Sequence, residues 1–284
     1  MNTPDAFTVP VSDTVLGYIL AFARRQPWMD TAMKAGVWDK IPGRTLHECT
    51  LGIIGVGRIG KAIALTYVRE GAKVVNFSFD EPDYENESVE FYKGDVTDRE
   101  GVKAFFDHVV EKYGKIDILV NNAGITRDAL IHKMSEDMWD FVIDVNLKGV
   151  FNLVQLVGPK MMEQGAGSIV NISSVVGEYG NVGQTNYAAT KAGVIAMAKT
   201  WAKEFSRKGA AVRVNAIAPG YMATDNTAPL RADAERSAAI LERIPAGRWG
   251  QPDDLKGATV FLASAASDYL HGATINVDGG WLAR

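Results

Sequence analysis

The chain is poor in several things that would point to particular chemistries. Among its 284 residues there is a single cysteine, Cys49, so no internal disulfide can form and no thiolate cage for a metal can be built. The four histidines, His47, His108, His132 and His271, lack the short spacings that metal ligands need, and no structural or catalytic metal is expected. The longest apolar run near the N-terminus, VLGYILAFA at 15–23, is far shorter than the about 20 residues that span a bilayer. No basic segment precedes it and no small-residue cleavage site follows, so it does not read as a secretory leader. No charge of one sign dominates, since 30 Lys and Arg face 34 Asp and Glu for a net charge of −4. Nucleic acid and membrane are therefore not expected as partners, and a cytoplasmic protein is. Internal repeats and low-complexity tracts are also missing.

What is present is apolar sequence, 47% of the residues, enough for a sizeable core. Two regions are expected: a helical extension over 1–45, and one dinucleotide-binding and catalytic domain over 46–284. In the first, Ser12 or Asp13 can cap a helix with Val15, Leu16, Ile19, Leu20 and Ala23 on one face, interrupted by Pro27. From Thr50 onward strands and helices alternate. The strands are LGIIG (51–55), KVVNFS (73–78), VEFYKGD (89–95), IDILVNN (116–122), SIVNISS (168–174), VRVNAIA (212–218) and TINVDG (274–279). Several are apolar nearly throughout, as parallel strands covered on both faces are. Helices are predicted to start near Ile59, Asp98, Ser135, Gln184 and Pro252. The fold class is α/β, a Rossmann-type doubly wound parallel sheet of about seven strands with an extra N-terminal helical segment.

Gly55, Gly57 and Gly60, with Arg58 and Ile59 between them, make G-x-G-x-x-G between a strand and a helix. The first glycine permits a tight turn, the second lets backbone approach a pyrophosphate, and the third lets helix and strand pack closely. An acid that holds the cofactor's ribose is expected about 20 residues later, at the end of the second strand. There Ser78 occupies the position and Asp80 comes two residues late. If Asp80 reaches back, NAD(H) is favoured. If not, Ser78 leaves room for the 2′-phosphate of NADP(H), with Arg58 or Lys61 as cations. The preference is for NAD(H), with NADP(H) open.

Tyr187 and Lys191 stand four apart on a predicted helix and so share a face, and Ser174 ends a strand before them. For a tyrosine to act as a base near neutral pH its pKa must fall by about 3, or roughly 4 kcal/mol. An ammonium about 4 Å away supplies roughly 4 kcal/mol at an effective dielectric near 20. Taken alone, such a pair reads equally well as a solvated helix face.

The motifs NNAG (121–124), VNLKG around Asn146, NISS, YAATK and NAIAPG follow one another at successive strand ends or on the helices after them. Together, over about residues 62–284, they resemble the short-chain dehydrogenase/reductase family. The resemblance implies an NAD(P)-dependent oxidoreductase interconverting a secondary alcohol and a ketone. Ser174 would hold the substrate oxygen, Tyr187 would pass the proton, and Lys191 would lower the tyrosine's pKa and grip the nicotinamide ribose. Asn146 would anchor a water in a proton relay. Asn122, Ala123 and Gly124 would flank the adenosine side of the cofactor, Asp95 and Val96 in GDVTD its adenine, and Pro219, Gly220, Met222 and Thr224 its nicotinamide.

The front of the chain does not fit that pattern. The family's usual turn is T-G-x-x-x-G-x-G, whereas residues 11–62 resemble the cofactor-domain entry of the D-2-hydroxyacid dehydrogenases. The chain therefore looks like a chimera of natural or engineered origin, with its seam between Gly60 and Gly71, and could bind nucleotide yet be catalytically weak. Residues 11–45 would cover the sheet's flank or a second subunit.

On the substrate side, the polar stretch 225–245 suits a lid, and with the tail SDYLHGATINVDGGWLAR it resembles sugar-acid members of the short-chain family, of the 2-deoxy-gluconate dehydrogenase type. NNAGITRDAL and GNVGQTNYAATKAG are instead similar to 3-oxoacyl-carrier-protein reductases. The expected substrate is a small molecule, a sugar acid or related polyol, with a 3-oxoacyl thioester as the alternative. Arg231, Arg236, Arg243 and Arg248 could meet a carboxylate. A homo-oligomer, dimer or tetramer, is implied by the resemblance, and the stripe Val194, Met197, Ala198, Trp201 and Phe205 is either core or interface.

Overall fold

The structure is a computed structural model and describes residue 46 and residues 49–283. The expected N-terminal helix and the rest of the 1–45 extension lie outside the described residues.

Seven parallel strands form one sheet in the order β3-β2-β1-β4-β5-β6-β7. They are β1 (Thr50–Ile54), β2 (Lys73–Ser78), β3 (Val89–Lys93), β4 (Ile118–Asn121), β5 (Ala166–Ile172), β6 (Ala211–Pro219) and β7 (Thr274–Val277). All seven predicted strands are found. β1 is buried at every position and pairs β2 on one side and β4 on the other, which makes the β1/β4 junction the point where strand order reverses. Ligands of such sheets bind outside the carboxyl ends of the strands at that junction.

Helices cover both faces. α1 (Arg58–Arg69) buries Gly60, Ala62, Ile63, Ala64, Thr66 and Tyr67, and the Tyr67 hydroxyl donates to the Thr259 carbonyl at 2.8 Å. α2 (Arg99–Tyr113) is capped by Asp98, whose carboxylate accepts from Glu100 N, and stopped by Gly114 in the left-handed region at φ +76°. α3 (Glu136–Ile143) starts at Ser135, whose hydroxyl accepts from Met138 N. A π-helical turn, Asp144–Lys148, then leads without a break into α4 (Gly149–Gln164).

α4 was not predicted. It has no N-terminal cap and carries Pro159 in its interior. Its apolar residues Val150, Leu153, Val154, Val157 and Met161 lie in the core on one face of the sheet. The stretch 136–164 is long and apolar enough to cross a bilayer, but half of its most apolar window is packed inside the fold.

After β5 come α5 (Val176–Tyr179) and the long α6 (Thr185–Phe205). Val194, Ala198 and Phe205 of the α6 stripe are buried in that same core, with Met197 and Trp201 packed against it, so the stripe is core. The region after β6 carries α7 (Ala228–Ala232) and α8 (Ala234–Glu242), so the stretch with a helical pattern is helical, and α9 (Lys256–Ala263) precedes β7. Buried Arg213 of β6 donates to the carbonyls of Leu262, Ala263 and Ser264 and so caps the carboxyl end of α9.

Candidate active site

The glycine turn runs from β1 into α1 and is shaped by close backbone approaches. Gly55 lies in the left-handed region at φ +90°, and a Cβ there would meet the Ala123 backbone at 3.0 Å. A Cβ on Gly60 would sit 2.0 Å from the Gly55 carbonyl oxygen. Gly57 differs, because a Cβ there would have nothing within 4 Å. It is also the cap of α1, with no side-chain hydrogen bond and no acid in the helix's first turn. The result is an open ledge beside unsatisfied helix N–H groups, which suits a pyrophosphate. Asn122 serves this turn directly, since its Nδ2 donates to the Gly55 carbonyl at 3.2 Å. Ala123 packs beneath it, so both residues act here as parts of the turn.

The flanking positions sort less evenly. Ser78 closes β2, and its carbonyl accepts from Gly94 N. Asp80 is exposed just beyond it. Arg58 is turned to Asp225 of the lid region at 2.9 Å, and Lys61 to Asp83 at 3.1 Å. Asp95 follows β3, but one of its oxygens is taken by the Thr97 N–H and hydroxyl. The side chains of Ile59, Val96 and Met222 pack into the fold: Ile59 and Met222 join one core cluster and Val96 the other. As cofactor residues these three are left with backbone groups, and the Val96 carbonyl is already taken by Asn152 at 3.0 Å. Pro219 ends β6, and Gly220 allows the chain to pass Asp278, where a Cβ would meet backbone at 2.7 Å. Thr224 begins the lid, its N–H bonded to the Thr227 hydroxyl.

The catalytic candidates are gathered. β5 and β6 are tied beyond their ends by Ser173 N to Ile217 O (2.7 Å) and Val175 N to Pro219 O (3.1 Å), which fixes Ser174 at the mouth of the sheet. The Ser174 hydroxyl faces Tyr187 and favours its ionised form. Lys191 is 4% exposed, its Nζ donates to the Ile172 carbonyl at 2.8 Å and lies 5.6 Å from the Tyr187 ring centre. A Cβ on Gly124 would come 3.3 Å from that Nζ and 3.5 Å from Asn146 Oδ1, so glycine here leaves room beside the lysine. Asn146 sits in the π turn, fully buried, exchanging two hydrogen bonds with the Ile125 backbone at 2.8 and 2.9 Å. A π turn is a frequent mark of functional positions because it lets one residue leave the helical register.

The electrostatics differ from the sequence expectation. Burial pushes the Tyr187 phenol up to about 12, opposed by Ser174 and reinforced by Asp128. Burial also pulls Lys191 down to about 8. The expected lowering of the tyrosine by its lysine is not found: desolvation, which acts against each charge, dominates both shifts, and the lowering influence on Tyr187 is Ser174. At neutral pH the phenol holds its proton and is set up as a donor.

Supporting residues escaped the sequence reading. Asn186, fully buried, donates to the Arg127 and Met138 carbonyls and accepts from Tyr187 N at 2.7 Å, which locks the start of α6. The Ser173 hydroxyl donates to the Lys191 carbonyl. An asparagine directly before the tyrosine was the available signal, as a polar residue at a helix start.

Comparison with known proteins places these residues in context. Residues 52–282 match the family described as enoyl-(acyl carrier protein) reductase. The chain is 51% identical over 231 residues to the 3-oxoacyl-(acyl-carrier-protein) reductase of Thermotoga maritima, which spans 78% of this chain and 92% of that protein. It is 44% identical over 234 residues to the 2-dehydro-3-deoxy-D-gluconate 5-dehydrogenase of Escherichia coli, over 80% of this chain and 92% of that one. A gluconate 5-dehydrogenase from Burkholderia cenocepacia, solved in complex with NADP and tartrate, matches with a TM-score of 0.78 at 37% identity, covering 85% of this chain and 100% of that one. The family match starts at Gly52, so the glycine turn lies inside it, ahead of the boundary near residue 62 drawn from the motifs.

Proposed function

The chain belongs to the short-chain dehydrogenase/reductase family and is an oxidoreductase that interconverts a secondary alcohol and a ketone with a nicotinamide cofactor; from that premise we propose that its substrate is a sugar acid or related polyol. The observation that carries the catalytic part is the convergence of Ser174, Tyr187 and Lys191 on one point beside Gly124. A bound nicotinamide supplies or accepts the hydride. In reduction Tyr187 gives its proton to the nascent alkoxide, and Ser174 holds the same oxygen by a hydrogen bond. Lys191, anchored on Ile172, stabilises the phenolate that results, and Asn146 fixes the backbone at Ile125 beside it. In oxidation the proton runs back to the phenolate.

We read the cofactor as NADP(H), which revises the preference for NAD(H). Ser78 rather than an acid ends β2, Asp80 lies beyond it in solvent, and Arg58 and Lys61 stand on the first turn of α1. A carboxylate at the β2 position would repel a 2′-phosphate, and none is there. The B. cenocepacia relative carries NADP. Specificity constants with NADPH and NADH decide it, and a preference for NADH overturns the reading.

The helical stretch 225–245, with the hydroxyl-bearing aromatic residues Tyr179 and Tyr221 nearby, supports the sugar-acid substrate. The identity to the T. maritima enzyme supports a second reading, a 3-oxoacyl thioester. Turnover of aldonates and their keto forms, measured against 3-oxoacyl thioesters, separates the two. Exposed Trp139, Phe141 and Phe151 on α3 and α4 support a homo-oligomer. The resemblance of residues 11–62 to D-2-hydroxyacid dehydrogenases, and a chimeric origin with a cofactor bound but poorly aligned, is a separate proposal. Tight NADPH binding without turnover of any substrate above would favour it.

A further inference from the structure

The lid region carries four arginines, Arg231, Arg236, Arg243 and Arg248, and the structure gives them different employment. Arg248 is held by both oxygens of Asp254, at 2.7 and 2.8 Å. Arg231 is drawn back onto the Thr224 carbonyl at 3.0 Å, and its Nε is shut away from solvent. Arg236 lies exposed on α8. Arg243 alone of the four sits over an aromatic ring, its guanidinium carbon 3.9 Å from the Trp281 ring centre, and among the described residues no ion pair joins it to a carboxylate.

The place where Arg243 is held adjoins the residue that follows Ser174. Val175, the residue after Ser174, shares a buried cluster with Ile244, the residue after Arg243, and with Trp281. Tyr179, the last residue of α5, and Tyr221, which follows Gly220, bring their hydroxyls to 3.4 Å of each other. Both rings pack on Trp281, at 5.9 and 4.6 Å between centres, and Tyr221 also meets Trp249 edge-on at 5.7 Å. Trp281 itself is brought in by consecutive left-handed glycines, Gly279 and Gly280, where a Cβ would strike Ile244 at 2.9 Å or Pro245 at 2.8 Å. Burial pushes the Tyr179 phenol up, and Tyr221 adds to this while the Arg243 charge opposes it, so the guanidinium acts on that hydroxyl.

We propose that Arg243, braced on Trp281 beside Tyr179, reads the substrate's carboxylate. Stacking satisfies the face of the guanidinium and fixes its plane, which leaves the N–H edge free to meet a carboxylate with two parallel hydrogen bonds. The Tyr179 and Tyr221 hydroxyls then meet the hydroxyls of the carbon chain between that carboxylate and the carbon held at Ser174. This assignment rests on the sugar-acid reading and supplies its missing anion-binding group.

The test compares D-gluconate with D-glucitol, which has the same carbon number and no carboxylate. In R243Q the ratio of kcat/KM for gluconate over glucitol should fall about 10- to 100-fold, through KM, as loss of a hydrogen bond to a charged group implies. R243K should recover part of the loss, and R236Q, exposed on α8 just before Arg243, should keep the wild-type ratio. An unchanged ratio in R243Q, or an equal loss in R236Q, overturns the assignment. If the wild-type protein turns over neither compound, the substrate reading has failed, and calorimetric titration of D-gluconate into the NADPH-saturated protein decides the assignment by itself. Binding that R243Q abolishes upholds it, and binding that R243Q keeps, or no binding by the wild type, overturns it.

Discussion

Around Gly55–Gly60 the site is shaped by side chains that are missing, while around Asn146, Ser174, Tyr187 and Lys191 it is shaped by side chains that are buried and bonded. At the turn, carbonyl and backbone atoms approach to distances that a single methyl group would forbid. At the catalytic group, a buried ammonium, a phenol and an amide are held by carbonyls of Ile172 and Ile125 and by the Ser174 hydroxyl. The first arrangement can be damaged by adding atoms and the second by removing them. On the proposed function, the first binds and the second changes charge during turnover.

The sharpest way to break this contrast is at the phenol. Tyr187→Phe should lower kcat by about 10³-fold, within the range of a lost general acid, while fluorescence titration finds NADPH affinity nearly unaltered. Retention of most activity would remove Tyr187 from the chemistry.

The next effect separates glycines within the turn. Gly60→Ala should destabilise the fold by about 3 kcal/mol, because its methyl meets backbone rather than a movable side chain. Gly57→Ala should leave stability within about 1 kcal/mol yet weaken cofactor binding by about tenfold, since that methyl would occupy the ledge. Urea denaturation and cofactor titration on both variants check this, and equal stability losses would erase the distinction.

A smaller effect concerns pH. Lys191 has a folded pKa of about 8 against an ordinary 10.5, so between these values the unfolded chain binds the extra proton. Stability should therefore rise with pH across that window, by on the order of 1–3 kcal/mol. Tyr187 acts in the opposite sense: with a folded pKa of about 12 against 10, its contribution is complete below 10 and is lost as pH climbs toward 12. Lys191→Met should flatten the rise between pH 8 and 10.5 in denaturation curves without cofactor. A rise that persists in the variant would place its origin elsewhere. The smallest expected change is at the solvent-exposed Arg58–Asp225 pair, where Asp225→Ala should alter stability by under about 1 kcal/mol.

The contrast also explains what could be read in advance. Strands announced themselves because both sheet faces are covered, which makes segments such as LGIIG apolar throughout. Glycine spacing announced the turn, and the order of Asn146, Ser174, Tyr187 and Lys191 announced the catalytic group. α4 was hidden by its lack of a cap and by Pro159, both of which speak against a helix until tertiary packing overrides them. The sign of the Tyr187 shift was hidden because spacing gives the neighbouring lysine but not the burial that dominates the shift. The bond from the Asn122 amide to the Gly55 carbonyl was hidden too, since it exists only once β1 and β4 lie side by side.

The π turn at Asp144–Lys148 has a consequence for how this protein can vary. One residue advances a helix by about 100°. The extra residue of the π turn therefore sets the angular phase between α3 and α4, as well as turning Asn146 inward. A single-residue deletion there would do more than remove an amide from the site: it would rotate the core-facing side of α4 away from the sheet. Catalytic support and helix phasing are encoded in the same five residues, so that neither can drift without the other.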